Sequence, residues 1–465
     1  MSNPRDFGAA GDGQTDDTEA IQHAIEQGDG PLYFPPGDYR ITRTIVVELA
    51  RTGRFGMDGA LGTAKLLMAG PGPAFHLVGT HDKSADPAGF APAAWAGQRM
   101  PLVQNVEIEG RHPEACGFLV EGTMQSTFAG VLLRQLRDGI RLHRRARNVL
   151  VTHCHIYDNR GVGIFLDHVN LHQAIITGSH VSYCRGGGIK IVGSEIRNLQ
   201  ITGNDIEYNY DPQAAASADV WIDCSEEGST VREGTIVSNT VQAKYSPGGA
   251  NVRIIGQHPR VNHRAGLWTI SNNLIGSQEI NVHLAACRGV TVSGNVIYSG
   301  HVRNLQLDGS RNIVLAANCF DHNPDYGEQE LCTGVRLADS HDVVLSGSLV
   351  HDCQAGRHTV AGAPELVREG LLEIVRCRRV AVSGCEVLDG APHGIYVEES
   401  DDVSITGCTV LDSRLEKKST AAICFRGTGR GNLVAGNRLG AGAESAVEAD
   451  AAAGVRVGEN WTDGS

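Results

Sequence analysis

From Val149 to Asn460 one short pattern keeps returning: an aliphatic residue, two small or polar residues, a ladder residue, any residue, then another aliphatic. The ladder positions are Cys154, Ser179, Asn204, Asn239, Asn273, Asn295, Asn318, Ser348, Cys385, Cys408, Asn437 and Asn460. Around Asn204 the chain reads Ile201-Thr202-Gly203-Asn204-Asp205-Ile206, and around Asn295 it reads Val292-Ser293-Gly294-Asn295-Val296-Ile297. Six of the eleven intervals between successive ladder residues are 22 to 25 residues and the others run from 29 to 37, so the loops vary while the core unit does not. That is how a solenoid behaves.

The unit itself is a pair of short strands. Aliphatic residues at period two bury one face of each strand, and a repeat this thin buries that face only when neighbours stack above and below. A small polar residue at the bend between two strands can bond along the stack and satisfy groups that a turn would otherwise orphan. The Leu and Asn spacing of a leucine-rich repeat is missing, and the hairpin signals of a propeller are few. The expected fold is therefore all-β, a single-stranded right-handed parallel β-helix of about 12 coils with a short N-terminal capping helix. One domain over 1–465 is expected, with the cap and first strands in 1–45, an irregular insertion in 51–99 and regular coils in 103–461. A homo-oligomer contact is open along the blander C-terminal coils.

The chain has 465 residues and 58 Gly, enough to bury a long core and turn many corners. A formal charge of −13 argues against a nucleic-acid partner, because phosphate binding wants a broad basic surface. The sequence has no apolar run of about 18 residues, which argues against a membrane span, and no leader is legible after Met1. Cytoplasmic residence is expected for the chain as written, and secretion or a periplasmic location if a leader has been trimmed. The 12 Cys are scattered without a Cys-x-x-Cys pair, which fits buried reduced thiols rather than zinc or redox motifs.

Near the start comes Asp6-Phe7-Gly8-Ala9-Ala10-Gly11-Asp12-Gly13-Gln14-Thr15-Asp16-Asp17-Thr18, then a helical stretch with Ile21, Ala24 and Ile25 on one face. Asp17 or Thr18 is placed to cap that helix. Leu32-Tyr33-Phe34-Pro35-Pro36-Gly37-Asp38-Tyr39 follows. This opening resembles the N-terminal signature of the pectate lyase superfamily, which includes β-helix polygalacturonases, exo-glucanases and phage tailspike depolymerases. The resemblance implies the fold and an action on glycans. It covers about the first 45 residues and assigns turn roles, not chemistry, to Asp12, Asp16 and Asp17. The polygalacturonase motifs Asn-Thr-Asp, Asp-Asp, Gly-His-Gly and Arg-Ile-Lys are not found in matching order. Gly188-Ile189-Lys190 is a fragment of the last, so no catalytic residue carries over.

The site must then be read from the register of the coils. Aligned trios such as Ile140-Arg141-Leu142, Ile164-Phe165-Leu166, Ile189-Lys190-Ile191 and Val220-Trp221-Ile222 put their middle residue on the outer face. With coils about 4.8 Å apart, Arg141, Phe165, Lys190, Trp221, Arg253 and His283 make one column, and His143, Asp167, Asp223 and Asp308 a second. Aromatic rings stack on sugars, and the charged groups can bond hydroxyls or carboxylates. The substrate-binding set is thus Arg141, His143, Phe165, Trp221, His283 and Asp308. The long loops Tyr208 to Ala218, Ala243 to Ala250 and Gln257 to Gly266 are expected to wall this groove.

Two chemistries fit a polysaccharide or oligosaccharide substrate. Glycoside hydrolysis, placed first, needs two carboxylates, about 6.5 to 9.5 Å apart for inversion. Asp167 and Asp223 are two coils apart, roughly 9.6 Å, whereas Asp219 and Asp223 on one strand are roughly 13 Å apart. Glu226 and Glu227 are further carboxylates. In β-elimination on a uronate glycan, Lys190 or Arg253 would remove a proton, and a lysine near other cations can act as a base. A non-catalytic, tailspike-like glycan binder is the third reading. No cofactor is expected; elimination leaves room for a divalent cation such as Ca²⁺. His155, His180 and Asp205 share one outward position on three coils; two imidazoles and a carboxylate are a metal-ligand set, but an ordinary hydrated stack is the preferred reading, ahead of a second polar binding surface and of a metal.

Overall fold

A computed structural model of the chain describes residues 1–83, 86–257, 264–323, 325, 334–352, 357–358, 366–440 and 445–462. The chain forms two compact units, Met1–Thr235 and Ile236–Ser465. Both are built from the expected repeat.

In the first unit, the strand Ile140–Thr152 pairs in parallel with Val162–Thr177, whose first half pairs with Gly187–Val192, which in turn pairs with Ala218–Asp223. Side chains alternate as the sequence pattern requires. Ile140, Leu142, Ile164, Leu166, Ile189, Ile191, Val220 and Ile222 point inward and are buried. The second unit repeats this with Ala250–Ile255, Ile280–Ala285, Arg303–Asp308 and Val335–Ala338, again parallel. Its inward residues Val252, Ile254, Val282, Leu284, Leu305 and Leu307 are buried as well.

The ladder residues do what their chemistry allows. In the second unit the backbone N–H of Asn239 donates to Asn273 Oδ1 (2.9 Å), that of Asn273 to Asn295 Oδ1 (3.0 Å), and that of Asn295 to Asn318 Oδ1 (3.1 Å). The Asn273, Asn295 and Asn318 amides also donate back to the preceding coil, as Asn295 Nδ2 does to Ile270 O at 3.0 Å. A buried turn thus leaves neither its N–H nor its C=O unsatisfied. The residue before the ladder position holds the left-handed conformation, at Gly203 (φ 66°), Gly294 (φ 65°) and Gly407 (φ 63°). This is why glycine recurs there. Two further ladders escape the sequence pattern. One runs through Cys184 and Asn209, the other through Cys287, Ser310 and Ser340.

Cys154, Cys184, Cys224 and Cys377 are buried, and their thiols are free. Burial pushes the Cys184 thiol up to about 12 and the other three up to about 11.

The N-terminal helix Thr18–Gln27 buries Ile21, Ala24 and Ile25. It also closes a strand edge. The Gln22 side-chain amide accepts from Val46 N–H (2.9 Å) and donates to Val46 O (3.1 Å), standing in for a neighbouring strand beside Ile45–Glu48. The expected side-chain cap does not form. Asp17 is the N-cap residue, but its carboxylate turns away from the helix to accept from Ala10 N–H (2.7 Å) and Gly11 N–H (3.1 Å). Asp12 accepts from the Gln14 and Thr15 N–H groups, and Asp16 from the Thr18 and Thr42 hydroxyls. These three acids shape the turn.

The stretch 51–99 is more regular than its composition suggests. Gly56–Asp58, Ala64–Met68 and Gly72–Val78 are strands paired in parallel with later coils. Short strands between Gly-rich turns, with no ladder residue to mark them, hide from a periodicity reading. Among the described residues of this stretch, the short helical turns Ala60–Gly62 and Pro87–Gly89 and the helix Pro92–Gly97 depart from the pattern.

Candidate functional site

The outer face of the first unit holds most of the residues that the repeat picks out. Register aligns Arg141 with Phe165, Phe165 with Lys190, and Lys190 with Trp221. Lys190 Nζ sits 4.5 Å from the centre of the Trp221 ring, and the Arg141 guanidinium 5.7 Å from that of Phe165. All four side chains are half-buried. Burial pulls the Lys190 ammonium below the ordinary lysine range, against the opposing charges of Asp223 and Asp138. A lysine of this kind gives up its proton more readily than one on an open surface.

The second column is equally ordered. His143 lies beside Asp167, and Asp167 and Asp223 flank Val192 on successive coils. Asp167 is tied on both sides. Arg141 Nε donates to its Oδ2 (2.8 Å) and His168 Nδ1 lies 2.7 Å from its Oδ1. Burial would raise the Asp167 carboxyl, but the bonds from His168 and Arg141 outweigh it and hold the group below its ordinary value. His168 Nε2 reaches Glu226 Oε2 at 2.9 Å. The bond to Asp167 first, and that to Glu226, raise the imidazole against its partial desolvation. An Arg141–Asp167–His168–Glu226 chain therefore runs beside Lys190. His143 bonds to Glu121 (2.6 Å), which also takes His76 (2.9 Å).

Asp219 stands apart from this constellation. It is buried at the foot of the Tyr208 to Ala218 loop, where its Oδ1 accepts from Asn209 N–H (3.1 Å) and Nδ2 (2.9 Å). That position makes it an anchor for the loop, not a group presented to a ligand. Asp223 faces outward and accepts from Ser225 N–H (2.9 Å).

The second unit carries its own relay. Arg253 Nε donates to His283 Nδ1 (3.3 Å), and His283 Nε2 meets Asp308 Oδ2 (2.8 Å), which also accepts from Gln306 Nε2 (2.7 Å). Burial tends to raise the Asp308 carboxyl, and the His283 and Gln306 bonds bring it below its ordinary value. Arg253 also donates to Gly248 O (2.9 Å) of the Ala243 to Ala250 loop. Of the third expected wall, Gln257 to Gly266, residues 258–263 lie outside the described residues.

His155 and His180 stack edge-on with ring centres 5.1 Å apart, and His180 Nδ1 is 3.8 Å from Asp205 Oδ2. Among the described residues, the three-ligand groups whose donor atoms converge lie elsewhere.

His168 is the residue that the periodicity reading missed. It lies inside the strand Val162–Thr177, at a bulge where the register passes from Asp167 to Val169 and His168 takes the left-handed conformation (φ 47°), so alternation no longer says which way its side chain points. Its signal is its place next to Asp167.

Comparison with known proteins adds the following. Residues 1–52 match the family described as rhamnogalacturonase A/epimerase, pectate lyase-like, and residues 94–241 and 268–439 match the right-handed β-helix region. Alginate lyase 7 of Azotobacter vinelandii is 54% identical over 44 residues, 9% of this chain and 5% of that protein. Mannuronan C5-epimerase AlgE6 of the same organism is 52% identical over 44 residues, again 9% and 5%. The chain thus spans a small fraction of the curated relatives it matches. Among solved structures, the AlgE6 A-module of Azotobacter vinelandii aligns over 100% of both chains at 14% identity with a TM-score of 0.41. The tailspike of E. coli bacteriophage HK620, solved with a pentasaccharide, aligns over 98% of this chain and 80% of its own at 12% identity with a TM-score of 0.45.

Proposed function

The chain belongs to the right-handed β-helix family, and from that premise we infer that it is a carbohydrate-active enzyme whose first unit works on a uronate-containing glycan by proton abstraction and elimination. The observation that carries this reading is Lys190. Its amine lies against the Trp221 ring, shielded from water and held below the ordinary lysine range. A base needs that property, and a residue serving only as a cation does not.

In this reading, Phe165 and Trp221 stack on sugar rings. Lys190 Nζ takes the proton from the carbon bearing the carboxylate. The released electron pair forms the carbon–carbon double bond as the bond to the glycosidic oxygen breaks. His168, which keeps its proton to higher pH than an ordinary imidazole, gives a proton to that oxygen. Arg141 and His168 also offset the negative charge that builds on the substrate carboxylate.

Hydrolysis, placed first on sequence grounds, fits the geometry less well. It needs a carboxylic acid that keeps its proton near neutral pH, and Asp167 is biased the other way by Arg141 and His168. No step of this reading runs through a bound Ca²⁺: Asp167 is taken up by Arg141 and His168, and Asp223 accepts a backbone N–H.

The test is an assay on a panel of polyuronates that follows both new reducing ends and the ultraviolet absorbance of the unsaturated uronate. Product with absorbance from the parent chain, lost in Lys190→Ala, is expected. Reducing ends without absorbance, or full turnover by Lys190→Ala, would sink the assignment. Binding without any product would point instead to a glycan-binding protein.

A further inference from the structure

The second unit holds a cluster that the proposed reaction does not use. The strand Cys319–Asp321 pairs in parallel with Leu349–His351, which pairs with Glu386–Leu388. This register sets Asp321 beside His351 and brings Asp389 just past the next strand. Asp321, His322 and His351 each aim one ligand atom into a common space, all within 4.8 Å of one another. His322 Nδ1 is 3.0 Å and His351 Nδ1 is 3.6 Å from Asp321 Oδ1. Donors around a tetrahedral zinc lie about 3.3 Å apart when each is about 2.0 Å from the ion, so these separations already match a shared ion.

Two more observations point the same way. Asp321 Oδ1 and His322 Nδ1 are buried and, beyond the close approach of these three side chains to one another, have no well-formed hydrogen bond among the described residues. Buried polar atoms are seldom left so, and an unplaced ion is one of the standard reasons. Furthermore, His351 Nε2 lies 3.0 Å from Asp389 Oδ2, and Asp389 is itself nearly buried and accepts from Ser413 Oγ (2.9 Å). A carboxylate on the far nitrogen fixes the imidazole tautomer and leaves Nδ1 as the lone-pair donor, the arrangement behind most metal-bound histidines.

We propose that Asp321, His322 and His351 form a binding site for a divalent transition-metal ion of the Zn²⁺ class, with Asp389 orienting His351. Two imidazoles select such an ion over Ca²⁺ or Mg²⁺, which prefer oxygen. Three protein ligands leave a fourth position for water, and all three side chains are partly exposed to solvent, which gives the ion a way in.

The test uses the full chain, stripped with a chelator and titrated with Zn²⁺ against a chromophoric competitor, then with Co²⁺ while visible absorption is recorded. One equivalent of Zn²⁺ and a tetrahedral-type Co²⁺ spectrum are expected from the parent. His322→Gln and His351→Gln, checked by far-ultraviolet circular dichroism, should lose stoichiometric binding. Asp389→Asn should weaken it by about 10- to 100-fold, and His180→Ala should bind like the parent. No uptake by the parent, or unchanged uptake in both Gln variants, would overturn the proposal. Unfolding of the Gln variants would leave the decision to the parent's Co²⁺ spectrum, whose absence also overturns it.

Discussion

The same slot on the coil, the middle residue of the trio, serves opposite ends in the two units. In the first it displays Arg141, Phe165, Lys190 and Trp221, half-buried side chains that present aromatic faces and an amine with a weakened hold on its proton. In the second the slot reads Gln306, Arg336, Glu373 and Tyr396 in register. There Glu373 is 2% exposed, and its Oε2 accepts from Arg303 Nη2 and Arg336 Nη1, each at 2.8 Å, while Oε1 takes the Glu369 N–H. Charge in that slot is thus closed on itself at Glu373; in the first unit Arg141 is likewise tied to Asp167, and it is Lys190, lying on the Trp221 face, whose charge is left available. An outward position in a β-helix is not functional by default. What separates the two cases is whether the neighbours on adjacent coils consume the side chain's bonding capacity.

Substitutions can break this contrast. Lys190→Ala should cost about 10²- to 10⁴-fold in turnover with little change in the unfolding midpoint, measured by initial rates and a denaturant melt. Glu373→Ala should do the reverse. It strands the buried Arg303 guanidinium and the half-buried one of Arg336, which should cost about 3 to 5 kcal/mol of stability in urea unfolding, while a site confined to the first unit keeps its rate.

Acid sharpens the same point. Burial would raise the Glu373 carboxyl, but Arg303 and Arg336 hold it below its ordinary value. A group depressed in the fold contributes its stability above the unfolded value, near ~4.3, and loses it as pH falls from there through the folded value. The parent should therefore lose stability on that descent, and Glu373→Gln should show a shallower acid slope.

Smaller effects probe the scaffold common to both units. Asn295→Ala leaves the Asn273 N–H and Ile270 C=O without their partner, and about 1 to 3 kcal/mol should be lost. Gln22→Ala uncovers the two Val46 backbone groups. Because that edge can regain water, the loss should be nearer ~1 kcal/mol, read from hydrogen exchange at Val46.

How much of this the chain announces depends on what each residue is near in sequence. Period-two aliphatics and the Asn ladder define the coil and its register, so the alignment of Arg141, Phe165, Lys190 and Trp221 is legible in the amino-acid sequence alone. The roles of Asp219 and Asp167 are not. Both are acids on nearby coils, and only the loop that folds back on Asn209 and the imidazole that swings onto Asp167 tell them apart. The strands in 51–99 are hidden for another reason: their turns use glycine without a ladder amide, so strands of three to seven residues stand without a marker to set their register. Likewise, Asp321 and His351 occupy the third place after their ladder residues, as Tyr157 and Glu207 do. The pattern locates that place on each coil, but the convergence of donor atoms there depends on rotamers that no spacing encodes.

The buried thiols offer a practical consequence. A cysteine whose proton is held to about pH 11 or 12 is almost never the reactive thiolate while its coil is intact. Cys154, Cys184 and Cys224 in one unit and Cys377 in the other are therefore silent to alkylating reagents in the native chain. Each becomes reactive only when its own turn opens. Mass spectrometry of pulse-alkylated protein would thus record where the stack first comes apart, coil by coil, with no engineered label.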